Sequence, residues 1–326
     1  MHPGAHSGAA ALSPIKQSPD KALLAAFADS GCHMHARLLA ALRLEEEDGG
    51  TLELSGLAWS RDEQLLYAIG DEGILLWLRP RFAGDGRLAA ITGRKLLPLR
   101  DAQGWALQGD DSDSEGLALR YGADGTAGND ELLISFERRM RICRYSPLGE
   151  FRGCEKLPAS LADARRYRGS NRGLEAVALH PRFGVLTGPE RPLRGSGQTQ
   201  RLSVYSLDGR DWGLPAQHDQ ASLVDMSVLP GGGLLLLERN RIGMLGLRLQ
   251  TVVHLAPDLA ERPQWSRQLL RMDSRAFPIG NLEGIAAQDE RRFFLVSDDN
   301  GPLLAGKTQL LHVEWAVPPP AGCPTR

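Results

Sequence analysis

Short apolar runs bounded by turn residues dominate this chain, and they return in a fixed order. Residues 65–69, 131–136, 234–237 and 292–297 read as strands of this kind. Ahead of such runs stands a recurring phrase. It reads Ser55-Gly56-Leu57-Ala58, then Glu115-Gly116-Leu117-Ala118, then Glu175-Ala176-Val177-Ala178. A looser copy, Asp225-Met226-Ser227-Val228, precedes the full form Glu283-Gly284-Ile285-Ala286. A unit returning every 50–60 residues or so is the signature of a repeat architecture, in which each unit buries its apolar faces only against its neighbours. After each run comes a third strand candidate, at residues 74–78, 140–145, 202–207, 244–249 and 309–315. Fourth strands are predicted at 94–99, 155–157, 212–215 and 268–272.

The fifth unit ends after its third strand, while residues 36–44, ahead of the first phrase, form a spare one. Pairing the two closes a circle and removes the exposed sheet edges. The predicted fold is all-β, a β-propeller of five four-stranded blades closed by an N-terminal strand on the last blade. A sixth blade within 250–280 is the alternative count. Residues 1–35 read as a disordered or loose lead-in, 36–316 as the propeller and 317–326 as a tail.

Composition narrows the partners. The 326 residues carry 38 Lys+Arg against 40 Asp+Glu, a net charge of −2, so no bulk field favours nucleic acid or anionic lipid. No apolar run is long enough to span a bilayer. The segment 22–28 is too short, and too acidic ahead of it, for a convincing secretory signal. None of the four cysteines forms a Cys-x-x-Cys pair. Cys143 and Cys154 flank a turn where a cross-strand bridge fits, and Cys32 with Cys323 would clamp the ring if its ends meet. Four unpaired thiols are the alternative. The bridges favour an oxidising compartment, periplasmic or secreted, with the cytoplasm left open. The histidines read as surface residues on turns or outer strands.

In a propeller blade the innermost strand and the next are antiparallel, so the start of the first and the end of the second emerge on one face. Ser55, Glu115, Glu175, Asp225 and Glu283 hold the first location, with Glu53, Asp113 and Asn281 just ahead. Asp71-Glu72, Glu137-Arg138, Glu190-Arg191, Glu238-Arg239 and Asp298-Asp299-Asn300 hold the second. Both sets crowd one mouth of the central channel.

Across Leu54-Ser55-Gly56-Leu57-Ala58-Trp59, Asp113-Ser114-Glu115-Gly116-Leu117-Ala118, Phe136-Glu137-Arg138 and Asn171-Arg172-Gly173-Leu174-Glu175, the chain resembles a known family. Leu235-Leu236-Leu237-Glu238-Arg239, Asn281-Leu282-Glu283-Gly284-Ile285 and Ser297-Asp298-Asp299-Asn300 extend the match. The family is the phytase-like domain, described as esterase-like activity of phytase. The resemblance implies a propeller, commonly exported in bacteria, with a hydrolase label; fold by itself does not fix function.

Carboxylates gathered at one mouth repel one another unless a cation or an arginine neutralises them. Glu115, Glu175, Asp225, Asn281, Glu283 and Asp298 offer oxygens of the type Ca²⁺ prefers. Hydrogen bonding to neighbouring blades, with no metal, is the structural alternative. The leading reading is a hydrolase of a small-molecule ester or phosphoester, without organic cofactor and monomeric. One of Glu115, Glu175 or Glu283 is its general base, and Arg138, Arg172 and Arg239 bind the anionic group. Inter-blade ion pairs are the plainer role for these arginines. A non-catalytic binding propeller and a calcium-dependent lactonase-like propeller are the other two readings. The turn Asp110-Asp111-Ser112-Asp113 reads as a solvated acidic approach to the site, since it lacks the glycine and glutamate of a calcium loop. No histidine stands where it could activate Ser55.

Overall fold

The computed structural model describes residues 14–27, 32–45, 52–168, 173–198, 200–242, 248–298 and 307–318. An N-terminal group comprises β1 (Lys16–Pro19), the short helix α1 (Lys21–Ala26), β2 (Cys32–His33) and β3 (Ala36–Glu45). Blade I is β4 (Leu54–Ser60), β5 (Leu65–Gly70), β6 (Ile74–Phe82) and β7 (Leu88–Pro98). Blade II is β8 (Ser114–Arg120), β9 (Glu131–Phe136), β10 (Arg141–Tyr145) and β11 (Phe151–Cys154). Blade III is β12 (Leu174–His180), β13 (Gly184–Pro189), β14 (Arg201–Ser206) and β15 (Asp211–Pro215). Blade IV is β16 (Ser222–Val228), β17 (Leu234–Ile242), β18 (Arg248–Ala256) and β19 (Arg267–Asp273). Blade V takes β20 (Leu282–Ala287), β21 (Arg292–Ser297) and β22 (Thr308–Trp315), and β3 completes it in antiparallel register, with Leu310 opposite Leu42. The five innermost strands pack in a closed circle, β4 on β8, β8 on β12, β12 on β16, β16 on β20 and β20 on β4.

Each blade is covered on both faces, which is why the second strands read as unbroken apolar runs. Along β5, Leu65, Tyr67 and Ile69 pack toward blade II, while Leu66 and Ala68 pack toward blade V. Five apolar clusters among the described residues fill the five blade-to-blade interfaces. The glycine of the repeated phrase lets the innermost strands approach this closely. A Cβ on Gly116 would sit 2.6 Å from the Val177 amide nitrogen and 2.7 Å from the Glu175 carbonyl; one on Gly56 would sit 2.5 Å from the Glu115 carbonyl.

Four differences from the sequence reading have physical causes. Part of the predicted loose lead-in is ordered. Leu23 and Phe27 are buried against blades IV and V, and the buried Asp20 caps α1 while accepting from Arg43 and Gln309. The third strand of blade IV is Arg248–Ala256, not 244–249, because β17 continues to Ile242 and pairs with it as far as Arg248. Residues 250–280 therefore complete blade IV and form no sixth blade. In blade II the fourth strand precedes the predicted 155–157. His180, His254 and His312 are buried rather than superficial, since even outer strands face a neighbouring blade. His312 stacks on Phe294 at 4.7 Å and accepts the Leu88 amide at 3.1 Å; burial holds its pKa down to about 3.

Cys143 and Cys154 are cross-strand partners and form a disulfide with a sequence separation of 11. Cys32 is also in a disulfide; Cys323, the partner suggested for it, lies outside the described residues. Replacing Cys143 and Cys154 by serine is expected to cost about 2–3 kcal/mol through the freed loop. Urea unfolding of the double variant, compared with the oxidised protein, measures that loss. Among the described residues no helix is long and apolar enough to cross a membrane.

Candidate functional site

A bulge is built into the start of every innermost strand. Pairing slips between Leu54 and Gly56, Ser114 and Leu117, Leu174 and Ala176, Leu223 and Asp225, and Leu282 and Gly284. A bulge leaves one residue unpaired and re-aims its side chain. The residues so placed are Ser55, Glu115, Glu175, Val224 and Glu283. Blade IV is thus one residue out of step with the sequence reading. Asp225 takes the place of the phrase glycine, and Val224 the place of the acid.

The consequence for Asp225 is decisive. Its carboxylate accepts the Met226 and Ile285 amides at 2.8 Å each and also the Leu57 amide, tying blade IV to blades V and I. It is fully buried. Its oxygens are engaged by backbone within the ring, apart from the mouth acids with which the sequence grouped it.

The same offset changes the second location. Asp71, Glu137, Glu190 and Asp298 directly follow the second strands of blades I, II, III and V, and the matching place in blade IV belongs to Arg239. Glu238 turns away. It lies fully buried between the Gln217 amide, Asn240 and His254, whose ring nitrogen is 2.8 Å distant.

The mouth divides into two unlike halves. In one, formed by blades III to V, Arg239 is the hub. It pairs with Glu283 and, at 3.5 Å, with Glu190, and it donates to Asn281 at 3.2 Å. Ser222 donates to Glu190 at 2.7 Å, and Asn281 donates to Glu283 and, at 2.9 Å, to Asp298. Burial works against the Arg239 charge, but Glu283, Glu175 and Glu190 outweigh it and hold its pKa above the ordinary value. Burial also lifts Glu283, to about 7 despite the guanidinium beside it. In this half the arginine links three blades through Glu283 and Glu190, in line with the plainer inter-blade role for such pairs, while its buried Nε has no hydrogen-bond partner among the described residues.

Among the described residues the other half, formed by blades I to III, has no enclosed cation, and only Arg138 reaches it from the rim, 3.2 Å from Asp113. Asp113, Glu115 and Glu137 each bring a carboxylate oxygen within 4.8 Å of the others. Glu137 is buried, in hydrogen-bond contact with Glu175 and with Asp113, and accepts the Gly173 amide at 3.3 Å. Burial first, then Asp113, pushes Glu137 up to about 7. Burial and the charges of Asp71, Glu137 and Glu283 raise Glu115 well above the carboxylate range; burial with Glu115, Glu137 and Glu190 does the same to Glu175. Asp71, which accepts from Ser55, is lifted by burial to about 6. Four touching carboxyl groups cannot all stay ionised unless protons or a cation are shared among them.

The sequence-derived set is therefore split. Glu115 and Glu175 belong to the acidic half. Glu283, Asn281 and Asp298 belong to the arginine half, and Asp225 to the ring below. Asp113, Glu137 and Asp71 were not among the candidate ligands; their signal was position, Asp113 just ahead of an innermost strand and Asp71 and Glu137 just after second strands. Arg138 lies at the rim, half exposed, 3.2 Å from both Asp110 and Asp113. Arg191 donates to the Ala221 carbonyl at 3.0 Å. Arg172, Asn171, Asp299 and Asn300 lie outside the described residues. The acidic turn opens with a single helical turn, Gly109–Asp111, whose Asp111 pairs with Arg139 at 2.9 Å.

Solved structures with a similar course of the chain share little sequence with it. A PQQ-bound aldose sugar dehydrogenase from Streptomyces coelicolor is 13% identical over 93% of this chain and 99% of its own, with a TM-score of 0.44. The calcium-binding protein regucalcin from Agrobacterium tumefaciens is 12% identical over 87% and 96%, with a TM-score of 0.42. A streptogramin B lyase is 10% identical over 84% and 97%, with a TM-score of 0.41. Likenesses of that size say nothing of chemistry. No curated protein matches the sequence. A family model does: residues 50–301, which hold all five bulged strands and every acid of the mouth, match the one described as phytase-like, esterase-like activity of phytase, and the chain belongs to that family.

Proposed function

We propose that the acidic half of the mouth hydrolyses an ester or phosphoester with the help of one hard divalent cation, Ca²⁺ by preference. The observation that carries this reading is the convergence of Asp113, Glu115 and Glu137 within 4.8 Å, with Glu175 touching Glu137. The donors are all carboxylate oxygens, which is the chemistry such a cation selects. Their raised pKa values mark a site that gains by sharing a positive charge.

Asp113, Glu115 and Glu137 would hold the ion, whose contribution when bound is to polarise the ester or phosphoryl oxygen. The remaining roles follow from two environments pushed apart, the usual origin of an acid and a base at one site. Burial and three neighbouring carboxylates disfavour the charge of Glu175, so it holds its proton to higher pH than an ordinary glutamate. It is suited to protonate the leaving oxygen. Asp71, at about 6, is ionised at neutral pH and suited to take a proton from the attacking water, with Ser55 fixing its orientation. Arg138 at the rim, half exposed although paired with Asp110 and Asp113, is better placed to meet an anionic substrate than Arg239, which is enclosed. The disulfides suit a protein working in the periplasm or outside the cell.

Turnover of p-nitrophenyl acetate and p-nitrophenyl phosphate, with Ca²⁺ and with chelator, tests the proposal. Hydrolysis that needs Ca²⁺ and is lost with chelator supports it; equal rates in both conditions contradict it. A binding propeller without turnover is the second reading, favoured by the ion pairing of the arginine half. It gains if Ca²⁺ binds at the acidic half yet neither ester is cleaved.

A further inference from the structure

The loop between β7 and β8 holds a large aromatic side chain out in water on a rigid support. Trp105 is 74% exposed. An exposed indole on a mobile loop would be unremarkable, but this loop is pinned throughout. Arg100 and Ala106 form an antiparallel bridge, and Leu107 donates to the Leu99 carbonyl at 2.8 Å. The Asp101 carboxylate accepts the amides of Gln103 and Trp105 at 2.9 Å each, and the Asp101 amide donates to the Trp105 carbonyl at 2.8 Å. Gly104, at φ +88°, makes the reversal that sets the ring outward.

Trp105 forms one wall of a hollow of about 680 Å³, whose other sides include Gln103, Gln108, Asp111, Tyr145 and Phe151. That volume is within the usual range for small-ligand sites. The β10–β11 hairpin beneath it carries Tyr145 and Phe151 and is locked by the Cys143–Cys154 disulfide, with Cys154 itself on the wall. Both sides of the hollow are thus fixed before any ligand arrives, which removes much of the ordering cost of binding.

We infer that this hollow is a carbohydrate-binding subsite, separate from the carboxylate cluster, in which a neutral sugar ring lies against Trp105. The chemistry of the walls selects that class. An indole face offers a flat apolar platform to the C–H side of a pyranose, while its edges remain in water. Around it stand two side-chain amides and a carboxylate, planar groups able to take and give paired hydrogen bonds to neighbouring hydroxyls. An anion is disfavoured, because Asp101 and Asp111 stand there and the Arg141 guanidinium is already held. It donates to the Asp111 carbonyl and lies 3.7 Å from the centre of the Phe136 ring. A purely apolar ligand would displace water from the amides and from the Asp101 and Asp111 carboxylates without replacing its hydrogen bonds.

The test is a fluorescence and calorimetric titration of the whole oxidised chain with methyl glucoside, methyl galactoside, methyl mannoside, maltotriose and cellotriose. Chelator is present throughout, so the result does not depend on any cation at the acidic cluster. Saturable binding of at least one sugar is expected, with a change in Trp emission that vanishes in Trp105→Phe or Trp105→Ala. Trp105→Ala should weaken binding about tenfold or more, and Gln108→Ala severalfold. The melting temperature of Trp105→Ala should stay close to the parent's, since the ring is already in solvent. Absence of binding by all five sugars overturns the inference. So does binding that is undiminished in Trp105→Ala, or a response confined to a lysine-rich control peptide, which would mark a cation site instead.

Discussion

Arg239→Met is expected to lower the stability of the propeller by about 3–5 kcal/mol, the usual cost of stranding buried ionic partners. The side chain is only 12% exposed, and its guanidinium meets Glu283 of blade V, Glu190 of blade III and Asn281. Methionine fills a similar volume, so the loss comes from leaving Glu283 and Glu190 buried without their cation. Two controls follow. Adding Glu283→Gln and Glu190→Gln to the variant should recover much of the loss, because the stranded charges are removed. Arg138→Met, at the exposed rim, should change stability little. Thermal melting of the four proteins at one pH gives the comparison.

The second large effect has opposite signs for activity and stability. Glu137→Gln is expected to cut hydrolysis by roughly 100-fold, since it removes one of the carboxylates that would hold the ion. In chelator it should make the protein more stable at pH 8. The sign follows from linkage. Glu137 and Glu283 rise from 4.5 to about 7 in the folded state, and Asp71 from 3.8 to about 6. Between the ordinary carboxylate values and these raised ones the folded chain holds protons that the unfolded chain has released. Their stabilising effect is complete below the ordinary values and is lost as pH climbs through about 6–7. His312 acts on the other side: its folded pKa of about 3 lies below 6.5, so stability is lost as pH falls beneath 6.5. Without cation the parent should therefore melt higher near pH 6 than at pH 8. Ca²⁺ should shrink that difference, and so should Glu137→Gln. A parent that melts higher at pH 8 in chelator would contradict the assignment.

The ring was legible because its cause is written in residue types. Only a residue without a Cβ fits where Gly116 faces Val177 and where Gly56 faces Glu115, so the glycine phrase returns in blades I, II and V, while Ala176 and Asp225 hold the same place in blades III and IV. The spare strand at 36–44 was legible because a closed ring leaves one strand to be found. The mouth was legible only in part, for the reason blade IV shows. Asp225 has the side chain of its supposed equivalents, but a bulge two residues long cannot be seen in a list of types. One residue of slip exchanges the face a side chain points to. It sends Asp225 to the backbone amides, turns Glu238 toward His254 and puts Arg239 among acids. Asp113 and Glu137 were hidden for a related reason: they stand just outside the strands, where sequence patterns give position but not direction.

The account rests on the acidic half of the mouth being a cation site. Calorimetric titration of Ca²⁺ into chelator-stripped protein, with the parent beside Glu115→Gln/Glu137→Gln, tests it most directly. One ion per chain in the parent, with binding lost in a double variant that still melts cooperatively, is the predicted result. Absence of binding by the parent, or equal binding by both proteins, would contradict it.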